Sequence, residues 1–304
     1  DKMDYPKKVT IVEVGPRDGL QNEKEFVPTA SKIELVNRLV DAGAPKIEAA
    51  SFVSPKWVPQ MADAAEVMQG IERKANVIYA ALTPNVRGLE GALENGADEV
   101  VIFGAASEAF SQKNINCSID ESIERFVDVA RLAKEAGVLL RASISTSFGC
   151  PYQGEVPIDS VLSVVKRMQD LGCDEIDIAD TIGVGTAAQV YEVMSRVTEI
   201  VPKEKIAGHF HDTYGQALAN IVASMQAGVS IYHSSVAGLG GCPYAKGATG
   251  NVATEDVLYM LHGMGIETGM DLDKTVQIGQ WISDEIGRQN ASRVGRALIA
   301  KCVA

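Results

Sequence analysis

Two histidines separated by one residue, His209 and His211, are the clearest groups in this chain that could do chemistry. They follow an apolar run starting at Lys205 and precede a helical pattern, so they lie where a strand enters a loop. Alternate side chains of a strand share a face, which places the two imidazoles about 6.5 to 7 Å apart on one side. This spacing suits two ligands of one divalent cation. The alternative is a hydrogen-bonded core histidine beside an incidental one.

A cation bound by two imidazoles needs further ligands, preferably oxygen atoms. Asp18 is the strongest candidate from another strand, because the neighbouring Arg17 could screen its charge and serve a substrate. Asn251 could add a neutral amide oxygen. Such a mixed set suits Mg²⁺, Mn²⁺ or Zn²⁺ better than a closed structural zinc site, and the residue types do not choose among the three.

Charged residues recur near the ends of apolar segments, although any one of them could be a cap or half of a buried ion pair. Their convergence on one rim would favour a functional site. The residues concerned are Arg17, Asp18, Glu48, Arg141, Asp177, Asp180 and His233, together with the two paired histidines.

A glycine-dense loop at 238–250 contains Cys242. Its composition predicts a lid whose backbone can approach a ligand closely. A thiol facing a cation could exchange protons with a substrate, whereas the simpler interpretation is an inert thiol on a connector. The other four cysteines are interpreted as structural.

Eight apolar strand-like segments alternate with helical patterns and must position these residues. The strands are predicted at 9–14, 46–52, 76–84, 99–106, 139–148, 175–182, 205–211 and 231–237. The helices are predicted at 29–42, 61–73, 86–95, 119–136, 158–171, 187–201, 216–227 and 254–264.

This alternation predicts a parallel sheet, and eight units predict its closure into a (β/α)8 TIM barrel with extra C-terminal helices. An open doubly wound sheet is the alternative, but the first strand runs into Gly15-Pro-Arg-Asp-Gly19 and not into a dinucleotide-binding glycine turn. We expect one catalytic domain over 1–304, with 271–304 as a helical extension. In such barrels the carboxyl ends of the strands form the active-site mouth.

The composition argues against several function classes. The chain of 304 residues is 46% hydrophobic, which suits a large core, and its net charge of −12 argues against binding nucleic acid or a membrane surface. The sequence has no apolar run long enough to span a bilayer. Five scattered cysteines, and an N-terminus unlike a signal or organelle presequence, predict a cytoplasmic protein.

Three segments carry a resemblance to a known family: Glu13-Val-Gly-Pro-Arg-Asp-Gly-Leu-Gln-Asn-Glu23, the stretch 208–220, and Ser235-Val-Ala-Gly-Leu-Gly-Gly-Cys-Pro-Tyr244. Over nearly its whole length the chain resembles the 3-hydroxy-3-methylglutaryl-CoA (HMG-CoA) lyases. These belong to the metal-dependent aldolase-type (DRE-TIM) barrels, which also include isopropylmalate and homocitrate synthases. The first two segments are shared more loosely with the synthases, whereas the third, with its cysteine, resembles the lyase signature.

The resemblance implies retro-Claisen cleavage of (S)-3-hydroxy-3-methylglutaryl-CoA to acetyl-CoA and acetoacetate, in leucine degradation and ketone-body metabolism. It implies a Mg²⁺ or Mn²⁺ site formed by Asp18, His209, His211 and Asn251. Catalytic roles are implied for Arg17, Glu48, Asp180, His209 and Cys242. Substrate or coenzyme A contacts are implied for Arg17, Lys24, Arg141 and Thr181. A homodimer or larger homo-oligomer acting on an acyl-CoA is expected.

Two positions depart from the family pattern. His233 stands where these enzymes commonly have Asp, so a contact behind the site is expected to differ. The tail has Gly287-Arg-Gln289 where animal lyases resemble Asn-Arg-Lys, so its contacts with coenzyme A are expected to differ as well.

Two other functions are alternatives to the lyase. A synthase of the same fold would condense acetyl-CoA with a 2-oxo acid, but such enzymes usually carry a long C-terminal regulatory domain, and Cys242 favours the lyase. A metal-binding scaffold without turnover is the non-enzymatic alternative, and the full set of site residues argues against it.

Overall fold

Eight short parallel strands form a closed barrel in which the first strand pairs with both the second and the eighth. The computed structural model describes residues 4–241 and 250–303. The strands are β1 (Thr10–Glu13), β2 (Lys46–Ser51), β3 (Ile78–Leu82), β4 (Glu99–Ala105), β5 (Leu139–Ser145), β6 (Glu175–Asp180), β7 (Ile206–Phe210) and β8 (Ile231–Ser234). The (β/α)8 barrel is confirmed, and the open doubly wound sheet is wrong.

Helices surround the barrel and continue beyond the eighth strand. They are α1 (Thr29–Asp41), α2 (Ala64–Gly70), α3 (Val86–Glu94), α4 (Glu108–Ile115), α5 (Ile119–Glu135), α6 (Ile158–Asp170), α7 (Ala187–Ile200), α8 (Ala217–Gln226), α9 (Thr254–Gly263), α10 (Leu272–Glu285) and α11 (Arg293–Val303). Helix α4 was not predicted, because its sequence is polar and buries only Phe110 and Ser111. Among the described residues, no helix is both long and apolar enough to cross a membrane.

The apolar core lies between the barrel and the helices. On α6 the buried positions Val161, Val164, Val165 and Met168 follow helical spacing, which places one apolar stripe against the sheet. Close packing there requires small residues, since a Cβ added to Gly104 of β4 would lie 2.8 Å from the Met168 methyl carbon. The strands therefore present aliphatic side chains outward, and their other face points into the barrel.

The barrel interior is ionic where many barrels of this kind pack branched aliphatic side chains. Arg141, the third residue of β5, is 1% exposed and occupies the centre. Its Nε donates to Glu99 Oε1 at 3.0 Å, Nη1 to Asp177 Oδ2 at 2.7 Å and Nη2 to Glu48 Oε2 at 2.8 Å. Lys46 pairs with Glu99 in the same network. Four strands are thus joined through one guanidinium.

The C-terminal extension packs on the first helix. Ser31 on α1 donates to the Glu285 carboxylate at 2.8 Å, and the Arg38 guanidinium lies 4.2 Å from the centre of the Trp281 indole. Asp271 begins α10 by accepting the Lys274 amide at 2.9 Å. These contacts support the proposal that 271–304 is part of one domain with the barrel.

Replacing Arg141 by leucine is expected to destabilise the fold by about 3–5 kcal/mol, because several buried carboxylates lose their common partner. Urea denaturation would give the free energy of unfolding. Arg131→Leu is the control, since Arg131 is exposed and pairs with Glu135 on the surface of α5, where the loss should stay within about 1 kcal/mol. Equal losses in the two variants would contradict the role given to Arg141.

Candidate active site

A pocket with metal-ligand geometry lies at the carboxyl ends of β1 and β7. Asp18 is carried by a π-helical turn, Gly15–Gly19, that follows β1 directly, whereas the sequence predicted a simple strand stop there. His209 is the fourth residue of β7, and His211 follows this strand in an isolated bridge with Asn251. Ligand atoms of Asp18, His209 and His211 all lie within 4.8 Å of one another. Asn251 Nδ2 donates to Asp18 Oδ2 at 2.8 Å, so all four predicted ligands meet.

The protonation states in this pocket suit a cation. Burial alone would raise the pKa of Asp18, but Arg17 and the two imidazoles hold it well below its usual range. Burial, reinforced by His209, lowers the pKa of His211 to about 4, so this ring is neutral at physiological pH. An ionised carboxylate beside a neutral imidazole is the state in which both can bind a metal.

Two further features fit a divalent cation. His211 Nδ1 is buried and has no hydrogen-bond partner among the described residues. Such an orphaned ring nitrogen is costly unless a ligand completes it. The Asn251 amide points at Asp18 through its nitrogen, and a half-turn about its terminal bond would present the oxygen instead. The residues present therefore fit the metal that the donor set predicts.

Arg17 is fixed beside this pocket by a buried carboxylate. Its Nε donates to Glu48 Oε1 at 2.8 Å, while Nη1 lies 3.3 Å from Asp18 Oδ1. Burial would raise the pKa of Glu48, but Arg17 and Arg141 outweigh it and lower the pKa to about 2. Glu48 is therefore a permanent anion that orients Arg17, and it is poorly suited to donate a proton at neutral pH. All three guanidinium nitrogens of Arg141 already bind carboxylates inside the barrel. The direct substrate contact predicted for Arg141 stays a prediction.

Asp180 and Thr181 hold loops at the mouth. Both carboxylate oxygens of Asp180 accept backbone amides of the β6–α7 loop, from Val184 at 3.1 Å and Gly185 at 2.8 Å. Burial raises the pKa of Asp180 to about 6 despite these bonds. The Thr181 hydroxyl accepts the Thr146 amide at 2.8 Å, at a residue with φ of +57°. Their predicted catalytic and substrate-binding roles stay predictions.

The remaining predicted residues belong to the rim. Lys24 is exposed in the loop between β1 and α1. Cys242 lies outside the described residues. The two ends of the loop that carries it approach closely, since a Cβ added to Gly250 would lie 1.9 Å from the Gly240 carbonyl oxygen. This close approach, together with a φ of +87°, explains glycine at position 250.

Arg288 links the C-terminal tail to this loop. Its Nη2 donates to the Gly240 carbonyl at 3.1 Å, and its Nη1 donates to Glu23 Oε1 at 2.8 Å. Contacts between the tail and coenzyme A stay a prediction, and in the structure Arg288 connects one end of the glycine-rich loop to the β1–α1 loop. No local sequence signal distinguished Arg288 from its neighbours Arg293 and Arg296.

Two buried glutamates that the sequence did not single out support the start of the same loop. Glu13 accepts the Gly15 amide at 2.8 Å, the Val236 amide at 3.1 Å and the Thr254 hydroxyl at 2.7 Å. Glu255 accepts the Ala237 amide through both oxygens, and Ala237 adopts an unfavourable φ of +58°. Burial raises the pKa of Glu13 to about 7 and that of Glu255 to about 8. The only signal for Glu13 was an acidic residue inside an apolar strand.

Comparison with known proteins agrees with this geometry. A family profile described as HMGL-like matches residues 8–282. The chain belongs to the HMGL-like family. The match spans every candidate residue from Arg17 to Asn251 and stops within α10, so Arg288 lies beyond it.

Several relatives are similar to this chain over almost their full length. The chain is 57% identical to a Pseudomonas aeruginosa 3-hydroxy-3-isohexenylglutaryl-CoA/hydroxy-methylglutaryl-CoA lyase, covering 98% of this chain and 100% of that protein. A solved hydroxymethylglutaryl-CoA lyase from the same species superposes with a TM-score of 0.96 at 57% identity, covering 98% of this chain and 99% of that one. An Acinetobacter baumannii HMG-CoA lyase, solved with coenzyme A and 3-methylmalate, gives a TM-score of 0.92 at 36% identity, covering 96% and 95% of the two chains.

The raised pKa of Glu255 predicts a pH-dependent stability in this HMGL-like chain. The protonated form is favoured in the folded state, so its contribution is present below about pH 4.5 and is lost as pH rises through about 8. Glu255→Gln removes this dependence. From about pH 5 to about pH 9, the unfolding free energy of the wild type should therefore fall by at least about 1 kcal/mol relative to that of the variant.

Urea titrations at the two pH values would measure this difference, and Glu13 is present in both proteins and does not distinguish them. Glu192→Gln, at an exposed position of α7, is the matched control and should show no such change. A difference between Glu255→Gln and wild type that stays constant with pH would refute the assignment.

Proposed function

We propose that the chain is a divalent-metal-dependent carbon–carbon lyase that cleaves (S)-3-hydroxy-3-methylglutaryl-CoA to acetyl-CoA and acetoacetate. The observation that carries this proposal is the grouping of Asp18, His209 and His211 within 4.8 Å, with Arg17 held alongside. The substrate class is supported by the names of the relatives and by the coenzyme A in one solved relative. A homo-oligomeric state stays a prediction.

Asp18, His209, His211 and the Asn251 amide oxygen would hold Mg²⁺ or Mn²⁺, which are compatible with carboxylate, amide and imidazole ligands. The ion would polarise the 3-hydroxyl and distal carboxylate of the substrate and lower the pKa of the hydroxyl. Asp18 has two roles in this arrangement, because it also keeps Arg17 directed at the pocket.

Arg17 is the group proposed to receive the charge that develops during cleavage. When the C2–C3 bond breaks, its electron pair remains on C2 as a thioester enolate, while the 3-hydroxyl oxygen becomes the ketone oxygen of acetoacetate. A guanidinium fixed before the reaction stabilises the enolate oxygen without reorganisation. Glu48 provides that fixation, since it binds Arg17 on one side and Arg141 on the other.

Two proton transfers complete the reaction. The 3-hydroxyl proton is proposed to leave to Asp180, because His209 would bind the ion through Nε2 and contacts His233 through Nδ1. The enolate carbon is proposed to take a proton from the Cys242 thiol. The thiol then recovers a proton from solvent or from the protonated base. In the structure Asp180 is buried and bound to loop amides, so its part in this step depends on movement of the β6–α7 loop.

Purified protein stripped of metal is expected to release no acetoacetate from 3-hydroxy-3-methylglutaryl-CoA, and to recover activity when Mg²⁺ or Mn²⁺ is restored. Absence of product with either ion would reject the proposal. Thioester-dependent condensation of acetyl-CoA with a 2-oxo acid would indicate the synthase instead. 3-Hydroxy-3-isohexenylglutaryl-CoA should be tested in the same assay, because the name of one relative includes it.

An active-site variant and a surface variant make this assay specific. Arg17→Gln should lower kcat by about 10²- to 10³-fold, the effect of losing one oxyanion-stabilising donor. It should still bind Mn²⁺, because the four proposed ligands remain. Arg131→Gln, on the exposed face of α5, should retain full turnover.

Cys242→Ser tests the thiol separately from the metal site. The hydroxyl of serine is a far weaker acid, so turnover should fall while affinities for Mn²⁺ and for the thioester persist. Steady-state kinetics with direct measurement of substrate binding would separate the two effects. Full turnover in the variant would remove the thiol from the mechanism.

A further inference from the structure

The ring that links the pocket to the barrel interior is His233, on β8. Register pairs it with His209 on β7 and with Val12 on β1, so all three lie at one level of the barrel. Its side chain is buried, and His209 Nδ1 lies 2.9 Å from His233 Nδ1. On the opposite side of the His209 ring, Nε2 lies 3.6 Å from Asp18 Oδ2. His209 thus has one nitrogen in the pocket and the other on His233.

Asp177, His209 and His233 also have ligand atoms within 4.8 Å of one another, which raises the question of a second cation. Arg141 argues against one, because its Nη1 donates to Asp177 at 2.7 Å and lies 3.4 Å from His233 Nε2 and 3.5 Å from His233 Nδ1. A positive guanidinium therefore already contacts two of the three groups and would repel a cation. The second cluster is interpreted as support for His209.

Either ring could donate in the contact between His209 and His233, and a metal bound to His209 would decide which one does. A metal bound through Nε2 needs the lone pair of that atom, which leaves the proton of the neutral ring on Nδ1. Nδ1–H then donates to His233 Nδ1, so His233 must carry its own proton on Nε2. The opposite tautomer of His209 would direct an N–H at Asp18 and block the ligand position.

Glu175 supplies the partner that this proton arrangement requires. Its Oε2 lies 3.8 Å from His233 Nε2 and 3.8 Å from Arg141 Nε, and this buried atom has no hydrogen-bond partner among the described residues. The other oxygen, Oε1, lies 3.4 Å from Lys46 Nζ. A small rotation of the His233 ring or of the carboxylate would complete a bond from Nε2–H to Oε2. Glu175 would then orient His233 as His233 orients His209.

We propose that His233, oriented by Glu175, is a positioning residue that holds His209 in the tautomer offering its Nε2 lone pair to a divalent cation. The inference rests on the metal site of the proposed function. An aspartate at this position would accept the Nδ1 proton directly, because a carboxylate can only accept. A histidine can accept or donate, so it needs a second carboxylate to fix its direction. The histidine at position 233 therefore makes Glu175 part of the support of the site.

The experiment compares Mn²⁺ binding in wild type, His233→Leu and His233→Asp by electron paramagnetic resonance at a single pH. His233→Leu keeps much of the volume but has no acceptor, and Mn²⁺ affinity should fall about 10- to 100-fold. His233→Asp restores an acceptor and should stay within about threefold of wild type. His262→Leu, at an exposed position of α9, is the matched control for loss of a histidine and should bind as wild type does.

A second measurement does not depend on turnover. In the Mg²⁺-loaded protein, the His209 Nδ1 proton should be shifted downfield and protected from solvent exchange in wild type and in His233→Asp, and this signal should be lost in His233→Leu. Wild-type Mn²⁺ affinity in a folded His233→Leu protein, or a His209 Nδ1 proton that exchanges freely in wild type, would overturn the inference. Mn²⁺ binding without acetoacetate release by wild type would reject the proposed function and leave the role of His233 standing.

Discussion

The buried Arg141 guanidinium is the interaction on which the rest of the site depends. It binds carboxylates from β2, β4 and β6 inside the barrel, and one of these, Glu48, also binds Arg17 at the mouth. A buried charge is tolerated only where partners surround it. The interior of the barrel and the geometry of the mouth are therefore parts of one network.

The floor of the candidate active site is accordingly polar. Glu48, Glu99, Arg141 and Asp177 are buried and charged inside the barrel, whereas Ile102, Ile144 and Ile178 on three of the same strands belong to the hydrophobic core. The apolar layer between the barrel and the helices therefore stabilises the fold. The polar interior holds charged side chains in fixed positions, and the contact between His233 and His209 connects it to the proposed metal position.

The sequence predicted the architecture well, because the alternation of strands and helices is a local pattern that can be recognised without knowing any contacts. It also predicted the convergence of Asp18, His209, His211 and Asn251, since the carboxyl ends of parallel strands share one mouth. The depth of Arg141 in the barrel does not follow from such a pattern. Its position as the third residue of β5, well below the mouth, depends on the register between strands, which composition does not reveal.

Other features were missed for different reasons. Glu13 and Glu255 look unremarkable in the chain, and their function becomes visible only where Val236 and Ala237 place amides beside them. The π-helical turn at 15–19 was read as a stop because Gly and Pro usually end a strand. Helix α4 was missed because its few apolar residues form no stripe.

Closure of the barrel brings together the two halves of the pocket from distant parts of the chain. Asp18 follows β1, while the Asn251 amide that contacts it is 233 residues further along. During synthesis from the N-terminus, the acidic half of the pocket emerges early, and its partners emerge only near the end. Until β8 pairs with β1, Asp18 and Asn251 are not held together, although the strands that carry the Arg141 network have all been synthesised. The complete set of proposed metal ligands can therefore form only after the barrel has closed.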